Sequence, residues 1–288
     1  MNVTDQIDDQ QTKLWNGAAG RAWVEKQELL SQLFRPFEDL LVDAVRARSA
    51  RRVLDVGCGP GSTTLAVAQL LGSQGYCTGI DISEPMIAAA RLRAEQERTS
   101  ASFIRASAET HTFGPARFDM IVSRFGVMFF NNPVRAFANL RRAVTNNGYI
   151  QFIAWRTAEE NPFMTTAERA AAPLLPNLPP RRPDAPGQFA FADPHKVRTI
   201  LEESGWGEID IRPLDVVCAL PEKDLNEYLT RLGPVGVALQ EVDEATRNQV
   251  INAVRPAFDT YVQGLDVCFT AACWSVSART SSASVALK

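Results

Sequence analysis

Three glycines, at 57, 59 and 61, and two aspartates, at 55 and 81, have the types and spacing that can bind a nucleoside. The segment 57–61, Gly-Cys-Gly-Pro-Gly, follows an apolar run that contains Asp55, and Asp81 lies at the end of the next apolar run. Without a Cβ atom, glycine lets the chain turn sharply and lets a ligand lie against the backbone. A carboxylate at the position of Asp81 fits the two hydroxyl groups of a ribose.

The spacing of these glycines argues against a pyrophosphate. A dinucleotide-binding turn has the pattern G-x-G-x-x-G, whose third glycine would fall at Ser62, one position after the glycine that this chain has. Pro60 also removes one of the amides that a helix N-terminus offers to a phosphate. The turn therefore favours a nucleoside without phosphates. Asp81 has a second interpretation, which is to cap the helix predicted to begin near Glu84.

Asp55 lies inside an apolar run that predicts a strand. A buried carboxylate costs several kcal/mol unless it is paired. We therefore expect Asp55 to orient the amides of the turn, or to meet a cationic ligand through water.

The elements around the turn alternate between strand and helix. Apolar runs predict strands at 51–56, 76–82, 102–106, 118–125 and 148–155, and helices at 61–71, 84–98 and 133–145. This alternation predicts an α/β fold with a parallel sheet that is covered on both faces. After residue 156 the alternation stops at a proline-rich stretch, and later runs predict a helix from Pro194, strands at 208–218 and 269–278, and helices at 222–232 and 243–263.

These elements predict one core with a cap over the carboxyl edge of its strands. We expect an N-terminal helical cap segment at 1–50, a ligand-binding core at 51–156, a proline-rich insert or lid at 157–192, the C-terminal part of the core at 193–278 with cap helices within 222–263, and a disordered tail at 279–288. Caps of this kind close a pocket and select its substrate.

Composition excludes several classes of partner. The 288 residues carry a net charge of −3, which gives no general attraction to nucleic acid or anionic lipid. No apolar run approaches the roughly 20 residues that cross a bilayer. Five cysteines without a C-x-x-C pair and two histidines predict no metal site and a cytoplasmic protein. We expect a monomer or homodimer without nucleic acid or membrane partners.

The segment 55–61 matches the pattern E/D-x-G-x-G-x-G. With the sequence GIDIS at 79–83, it resembles the class I methyltransferases that use S-adenosyl-L-methionine. The resemblance is close over 51–156, and WNGAAGRAW at 15–23 and AACWSVSAR at 271–279 are similar to segments of small-molecule methyltransferases. The resemblance implies a Rossmann-like, doubly wound, seven-stranded and mostly parallel sheet, with an antiparallel last strand and a helical cap.

The same resemblance implies the remaining contacts of the cofactor. Ser107 stands where the family commonly has an aspartate that contacts adenine, and Glu109 is the alternative for that contact. The start of the segment VSRFGVMFF at 122–130 would lie beneath the methionine part, with its later aromatic and methionine side chains toward the substrate or in the core. Aromatic faces stabilise a sulfonium cation, and the candidates are Trp15, Trp23 and Phe125.

The predicted site contains residues from both the N-terminal cap segment and the ligand-binding core. The residues that we expect to contact the cofactor are Trp15, Trp23, Asp55, Gly57, Cys58, Gly59, Pro60, Gly61, Asp81, Ile82, Met86, Ser107, Ala108, Glu109, Ser123, Arg124 and Phe125. Those expected at the acceptor are Met128, Phe129, Trp155 and Phe163. If the reaction needs a general base, the candidates are the two histidines, His111 and His195.

The implied activity is transfer of a methyl group to an oxygen, nitrogen or carbon atom of a small acceptor, with S-adenosyl-L-homocysteine as product. Apolar and aromatic residues in the cap favour an aromatic or lipophilic acceptor, such as a quinone, a phenol or a ring of a secondary metabolite. Two alternatives remain. One is an inactive, methyltransferase-like binding or regulatory protein, and the other is a dinucleotide-dependent oxidoreductase, against which the glycine spacing argues.

Overall fold

A single sheet forms the centre of the computed structural model, which describes residues 3–182 and 185–280, with side chains from Gln10 onward. Its strands are β1 (Arg52–Val56), β2 (Tyr76–Asp81), β3 (Ser102–Arg105), β4 (Phe118–Arg124), β5 (Val144–Trp155), β6 (Gly207–Pro221), β7 (Val262–Gln263) and β8 (Asp266–Arg279). The strand order is β3-β2-β1-β4-β5-β8-β6, and the two-residue β7 pairs with β8. The first five strands are parallel, whereas β8 is antiparallel to both β5 and β6. The predicted fold class is therefore confirmed.

Twelve α-helices are described, and they cover the sheet and its carboxyl edge. They are α1 (Val3–Asn16), α2 (Ala18–Glu25), α3 (Gln27–Leu33), α4 (Arg35–Ala47), α5 (Ser62–Leu71), α6 (Glu84–Gln96), α7 (Pro133–Ala143), α8 (Pro162–Ala171), α9 (Pro194–Glu203), α10 (Leu225–Arg231), α11 (Gly233–Ala238) and α12 (Glu244–Val254). The helices that connect parallel strands follow the prediction closely, because proline or glycine marks where each begins or ends.

The N-terminal segment, which was expected to be helical, forms four helices, and Pro36 in the first turn of α4 lacks the N–H that a continuous helix would need there. Two later segments differ from the prediction. Helix α8 lies inside the predicted insert 157–192, where Pro162 at its first position was an available start signal. The predicted helix 243–263 ends as α12 at Val254, and a 3₁₀ turn (Arg255–Tyr261) leads into β7.

Helix α4 of the N-terminal region packs directly on the sheet. On α4, Phe37, Leu41 and Val45 are fully buried, and the helix packs on β4 and β5. Burial of a large apolar side chain contributes about 1.5–3 kcal/mol to the stability of the fold. These three side chains therefore hold α4 firmly against the sheet, and the polar side chains of the helix keep a fixed position at the sheet edge. A smaller apolar cluster that includes Ile87 and Phe103 packs α5 and α6 against β3.

The topology brings the ends of β1 and β4 together. From β1 the chain builds β2 and β3 on one side of the sheet, and then crosses to build β4 and β5 on the other. In sheets of this kind ligands bind beyond the carboxyl ends of the strands, at the point where the order reverses. No helix among the described residues has the length and apolar character that a membrane crossing requires. Most of the tail predicted at 279–288 lies outside the described residues, although Arg279 still belongs to β8.

Candidate active site

A cavity of about 1270 Å³ opens at the carboxyl edge of the sheet. Its floor comes from the turns after β1, β2, β3 and β4, and its walls come from α1, α2, residues 174–182 and 185–192, and the helices α10 and α11. Pockets for single small ligands are usually about 300–1,000 Å³. The volume therefore leaves room for two ligands side by side.

The three glycines of the turn after β1 have different roles. A Cβ on Gly57 would lie 2.6 Å from the Cα of Gly126, so the backbones of the turns after β1 and β4 touch at this pair. Gly61 has φ +89° and precedes the first residue of α5. Gly59 has φ +53°, and the nearest atom to a Cβ there would be the sulfur of Met86 at 3.6 Å, which leaves its cavity side open.

Asp81 joins the ends of β1 and β2. One oxygen accepts a hydrogen bond from the backbone N–H of Gly59 at 2.9 Å, and the other accepts one from the N–H of Ser83 at 2.9 Å. Burial raises the pKa of Asp81, and these amide bonds oppose that shift. A carboxylate has about four acceptor positions, so Asp81 keeps acceptor capacity for a ligand in the cavity that it lines. The capping interpretation is wrong, because Ser83 is the N-cap of α6.

A buried polar network lies behind the turn. Asp55 accepts a hydrogen bond from Thr64 Oγ1 at 2.7 Å with one carboxylate oxygen, and its other oxygen has no partner among the described residues. Burial raises the pKa of Asp55 to about 6. The guanidinium of Arg124 lies 3.8 Å from Glu38 of α4, which also accepts a hydrogen bond from the hydroxyl of Ser62. Burial lowers the pKa of Arg124, and Glu38 opposes this shift.

The loops after β3 and β4 are bound to each other. Glu109 accepts hydrogen bonds from the backbone N–H of Asn131 at 2.6 Å and of Asn132 at 3.1 Å. Ser123 is fully buried and donates to the carbonyl of Val56 at 2.7 Å, which ties β4 to β1. These bonds hold the floor of the cavity in one arrangement, which is what a site needs in order to position a ligand.

Aromatic side chains form the wall beside Arg124. Phe125 has φ +64°, a conformation that non-glycine residues seldom adopt, and its ring stacks on Trp155 with centroids 4.8 Å apart. Trp15 meets Phe129 edge to face at 5.0 Å and Trp23 at 6.1 Å. Such strained backbone positions occur preferentially at functional sites.

Helix α1 is attached at the edge of the cavity by Asn16. Its side-chain oxygen accepts a hydrogen bond from the N–H of Glu84 at 2.8 Å, and its side-chain nitrogen donates to the carbonyl of Ile82 at 3.2 Å. Ser83 donates to the carbonyl of Trp15 at 2.6 Å. Sequence reasoning missed Asn16, although it lies in the segment 15–23 that was singled out.

The cavity brings together most of the predicted residues. Those that line it are Trp15, Trp23, Gly57, Gly59, Asp81, Ile82, Met86, Ser107, Ala108, Glu109, Arg124, Phe125, Met128, Phe129 and Trp155. The predicted residues Asp55, Cys58, Pro60, Gly61 and Ser123 do not line it, and they lie in the elements that shape the turn or hold it against β4.

Three predicted residues lie away from the cavity. Phe163 is buried and stacks on Phe269 with centroids 3.8 Å apart, whereas the next residue of α8, Met164, lines the cavity. His111 packs edge to face on Phe113 at 4.6 Å. His195 is an exposed residue of the first turn of α9, beside its N-cap. Neither histidine lines the cavity, so neither is a candidate base there.

The part of the wall that comes from residues 174–182 and 185–192 and from α10 and α11, here called the far half of the cavity, is largely apolar. It includes Leu174, Leu175, Leu178, Pro179, Phe189, Tyr228, Leu232 and Val237. Burial raises the pKa of Tyr228 well above its ordinary value, so this hydroxyl stays protonated at neutral pH. Charged residues on the wall are the arginines Arg124, Arg181, Arg182 and Arg231 and the acids Asp81, Glu109, Glu159 and Glu241.

Comparison with known proteins identifies the family. Residues 53–148 match a family model described as a methyltransferase domain. Aklanonic acid methyltransferase DauC of Streptomyces sp. (strain C5) is 34% identical over 160 residues, which are 54% of this chain and 72% of that protein. This chain is a class I S-adenosylmethionine-dependent methyltransferase.

Two further similarities are consistent with this family. The ubiquinone/menaquinone biosynthesis C-methyltransferase UbiE of Coxiella burnetii (strain RSA 331 / Henzerling II) is 24% identical to this methyltransferase over 69% of the chain and 77% of the relative. The crystal structure of the YcgJ protein of Bacillus subtilis has the same fold, with a TM-score of 0.56 at 16% identity over 85% of this chain and 98% of that one.

The residues of this methyltransferase fit its cofactor. S-adenosylmethionine has a nucleoside without phosphates and positive charges on its sulfur and amino group. The turn is open at Gly59, Asp81 has free acceptor positions, and Asp55 holds an unpartnered buried oxygen behind the floor. Carboxylates and aromatic faces favour cations in a desolvated site. This combination of an open turn, carboxylates and aromatic rings suits that ligand better than a pyrophosphate.

Proposed function

We propose that this methyltransferase transfers its methyl group to an oxygen, nitrogen or carbon atom of a small aromatic or lipophilic acceptor. The single observation that supports this most is the apolar far half of the cavity, whose wall includes Leu178 and Leu232, together with the stacked rings of Phe125 and Trp155 in the same lining. Ligand sites of this kind are mostly apolar, with a few polar groups that fix orientation. The names of the relatives, which refer to aklanonic acid and to ubiquinone and menaquinone biosynthesis, also support a small-molecule acceptor.

The cofactor roles follow from the positions of the polar groups on the floor. In this proposal Asp81 accepts hydrogen bonds from the ribose hydroxyls, and the nucleoside lies against the open backbone at Gly59. Ser107 and Glu109 lie where the loop after β3 would meet adenine. Arg124, held by Glu38, supplies the counterion for the methionine carboxylate.

When bound, S-adenosylmethionine supplies a methyl group on a sulfonium, which is transferred by in-line displacement. The chain must therefore hold the acceptor atom about 3 Å from that carbon and exclude water. The rings of Trp15 and Phe125 stabilise positive charge at this point. Tyr228 stays protonated and donates a long hydrogen bond to the sulfur of Met164 at 3.8 Å, which an oxygen of the acceptor can replace. No histidine takes part, because neither one lines the cavity.

Different regions of the chain bind the cofactor and select the acceptor. In this proposal the region 51–156 with the end of the sheet binds the cofactor, while the N-terminal helices, the segment 157–192 and the helices between 222 and 263 form the cap that selects the acceptor. The protein would act in the cytoplasm as a monomer or homodimer, without a nucleic-acid partner.

Methyl transfer from radiolabelled S-adenosylmethionine tests the acceptor class. The panel should contain hydroxynaphthoquinones, hydroxyanthraquinones, catechols and aromatic amines, with transfer RNA and duplex DNA as contrasts. We expect labelled product with at least one aromatic compound, no labelling of nucleic acid, and loss of product in the Asp81→Ala variant. Labelling of nucleic acid alone would contradict the proposal. Asp210→Ala is the matched control, since Asp210 lies in β6 and does not line the cavity.

A further inference from the structure

We propose that the acceptor carries an anionic group, such as a carboxylate, and that Arg231 binds this group in the far half of the cavity. This inference rests on the proposed function, because it concerns the second ligand of the same site. Arg231 is the last residue of α10, is half-buried and lines the cavity next to Leu232.

Arg231 has no carboxylate within ion-pair distance among the described residues. Its usual helical partner would be Glu227, four positions earlier on the same helix. Glu227 instead pairs with Lys26 of the N-terminal region, with nitrogen and oxygen 2.5 Å apart. A guanidinium that is partly removed from water without a counterion favours a ligand that brings one.

The other three arginines on the cavity wall either have a charged partner or are exposed without one. Arg124 lies 3.8 Å from Glu38, on the floor that we assign to the cofactor. Arg181 pairs with Glu168 and lies over the ring of Phe189 at 4.8 Å. Both guanidinium groups therefore already have partners. Arg182 has no ion pair among the described residues, but it is exposed at the rim of the cavity.

The carboxylates on the wall do not cancel this charge. Asp81 and Glu109 are bound by backbone amides on the floor, on the cofactor side of the cavity. Glu159 and Glu241 are exposed to solvent, where their charge is screened. Within the apolar half, Arg231 is thus a partly desolvated positive charge, and Tyr228 beside it stays neutral.

A matched pair of probes tests the charge requirement. Anthraquinone-2-carboxylate and the neutral anthraquinone-2-carboxamide are titrated calorimetrically into protein saturated with S-adenosylhomocysteine. We expect the carboxylate to bind at least tenfold more tightly than the amide. Arg231→Gln should remove this preference, while Arg231→Lys should keep part of it. Arg21→Gln is the control, since Arg21 is exposed and lies off the cavity.

The outcomes separate this inference from the proposed function. Binding of S-adenosylhomocysteine is measured first on every variant, and its absence in the wild-type protein would contradict the proposed function itself. If the cofactor product binds, then equal affinities for the two probes, no binding of the carboxylate, or a preference that survives in Arg231→Gln would overturn the inference. Loss of the preference in Arg182→Gln but not in Arg231→Gln would also overturn it, because the anion would then lie at the rim.

Discussion

Asp81 and Gly59 are joined by a hydrogen bond of 2.9 Å between a carboxylate oxygen and a backbone N–H. The residue at the end of β2 therefore shapes the turn after β1. The same carboxylate lines the cavity, where it can accept a further hydrogen bond from a ligand. One side chain thus both holds the turn in place and faces the ligand.

Asp81→Ala should weaken the binding of S-adenosylhomocysteine at least tenfold. The variant loses the acceptors for the ribose hydroxyls and also the bond to Gly59 that holds the turn. Isothermal titration calorimetry measures the dissociation constant directly, with Asp210→Ala as the matched control. An unchanged constant in the Asp81 variant would reject the ribose role.

Gly126→Ala should destabilise the fold by about 1–3 kcal/mol. An added Cβ would lie 2.5 Å from the carbonyl oxygen of Val56 and 2.7 Å from the Cα of Gly57, and backbone atoms cannot move aside easily. Urea denaturation measures the loss of unfolding free energy. Gly114→Ala is the control, because nothing lies within 4 Å of a Cβ at that position. Equal stabilities of the two variants would show that the turns after β1 and β4 are not in such close contact.

Ionisation of Asp55 should lower the free energy of unfolding of the ligand-free protein as the pH rises from about 4 to above 6. Burial raises its pKa to about 6 in the folded state, against about 3.9 when unfolded. The folded state therefore binds the proton more tightly, and the stability this contributes is lost as the pH passes through the folded pKa. The loss should reach roughly 3 kcal/mol.

Asp55→Asn separates this contribution from those of other groups. The asparagine oxygen can still accept the hydrogen bond from Thr64, but it cannot ionise. Urea denaturation at pH 5 and pH 7.5 should show the variant gaining stability relative to the wild-type protein at the higher pH. A difference that does not change with pH would mean that the carboxyl has its ordinary pKa.

Asn16→Ala should loosen the N-terminal helices without unfolding the sheet. The variant loses the two hydrogen bonds that attach the end of α1 to the start of α6. We expect faster limited proteolysis between residues 10 and 26 and several-fold weaker binding of S-adenosylhomocysteine, since only the bond from Ser83 would then hold Trp15 at the cavity. Asn226→Ala on the exposed face of α10 is the control. Identical cleavage rates in the two variants would show that Asn16 does not attach the cap.

The sequence predicted the strands around the turn because each is a buried apolar run that ends at a glycine or a polar residue. It also predicted Asp81, since a carboxylate at the end of the second strand must stand beside the turn after the first. Contacts between distant segments left no such signal. Glu38 reaches Ser62 and Arg124, and Asn16 reaches Ile82 and Glu84, across separations that no local pattern encodes.

The direction of individual side chains was the second feature that the sequence did not predict. The predicted acceptor residue Phe163 faces the core and its neighbour Met164 faces the cavity, because one position on a helix rotates a side chain by about 100°. The joints of the N-terminal helices were missed for a related reason. Lys26 and Phe34 lie at two of these joints, and neither residue type marks a helix end.

A crystal structure of the complex with S-adenosyl-L-homocysteine tests the central claim most directly. We predict that the ribose hydroxyls lie within hydrogen-bond distance of Asp81, that the nucleoside lies on Gly59, and that the sulfur points toward Phe125 and the apolar half of the cavity. A ligand bound elsewhere, or bound here with its ribose away from Asp81, would contradict the account.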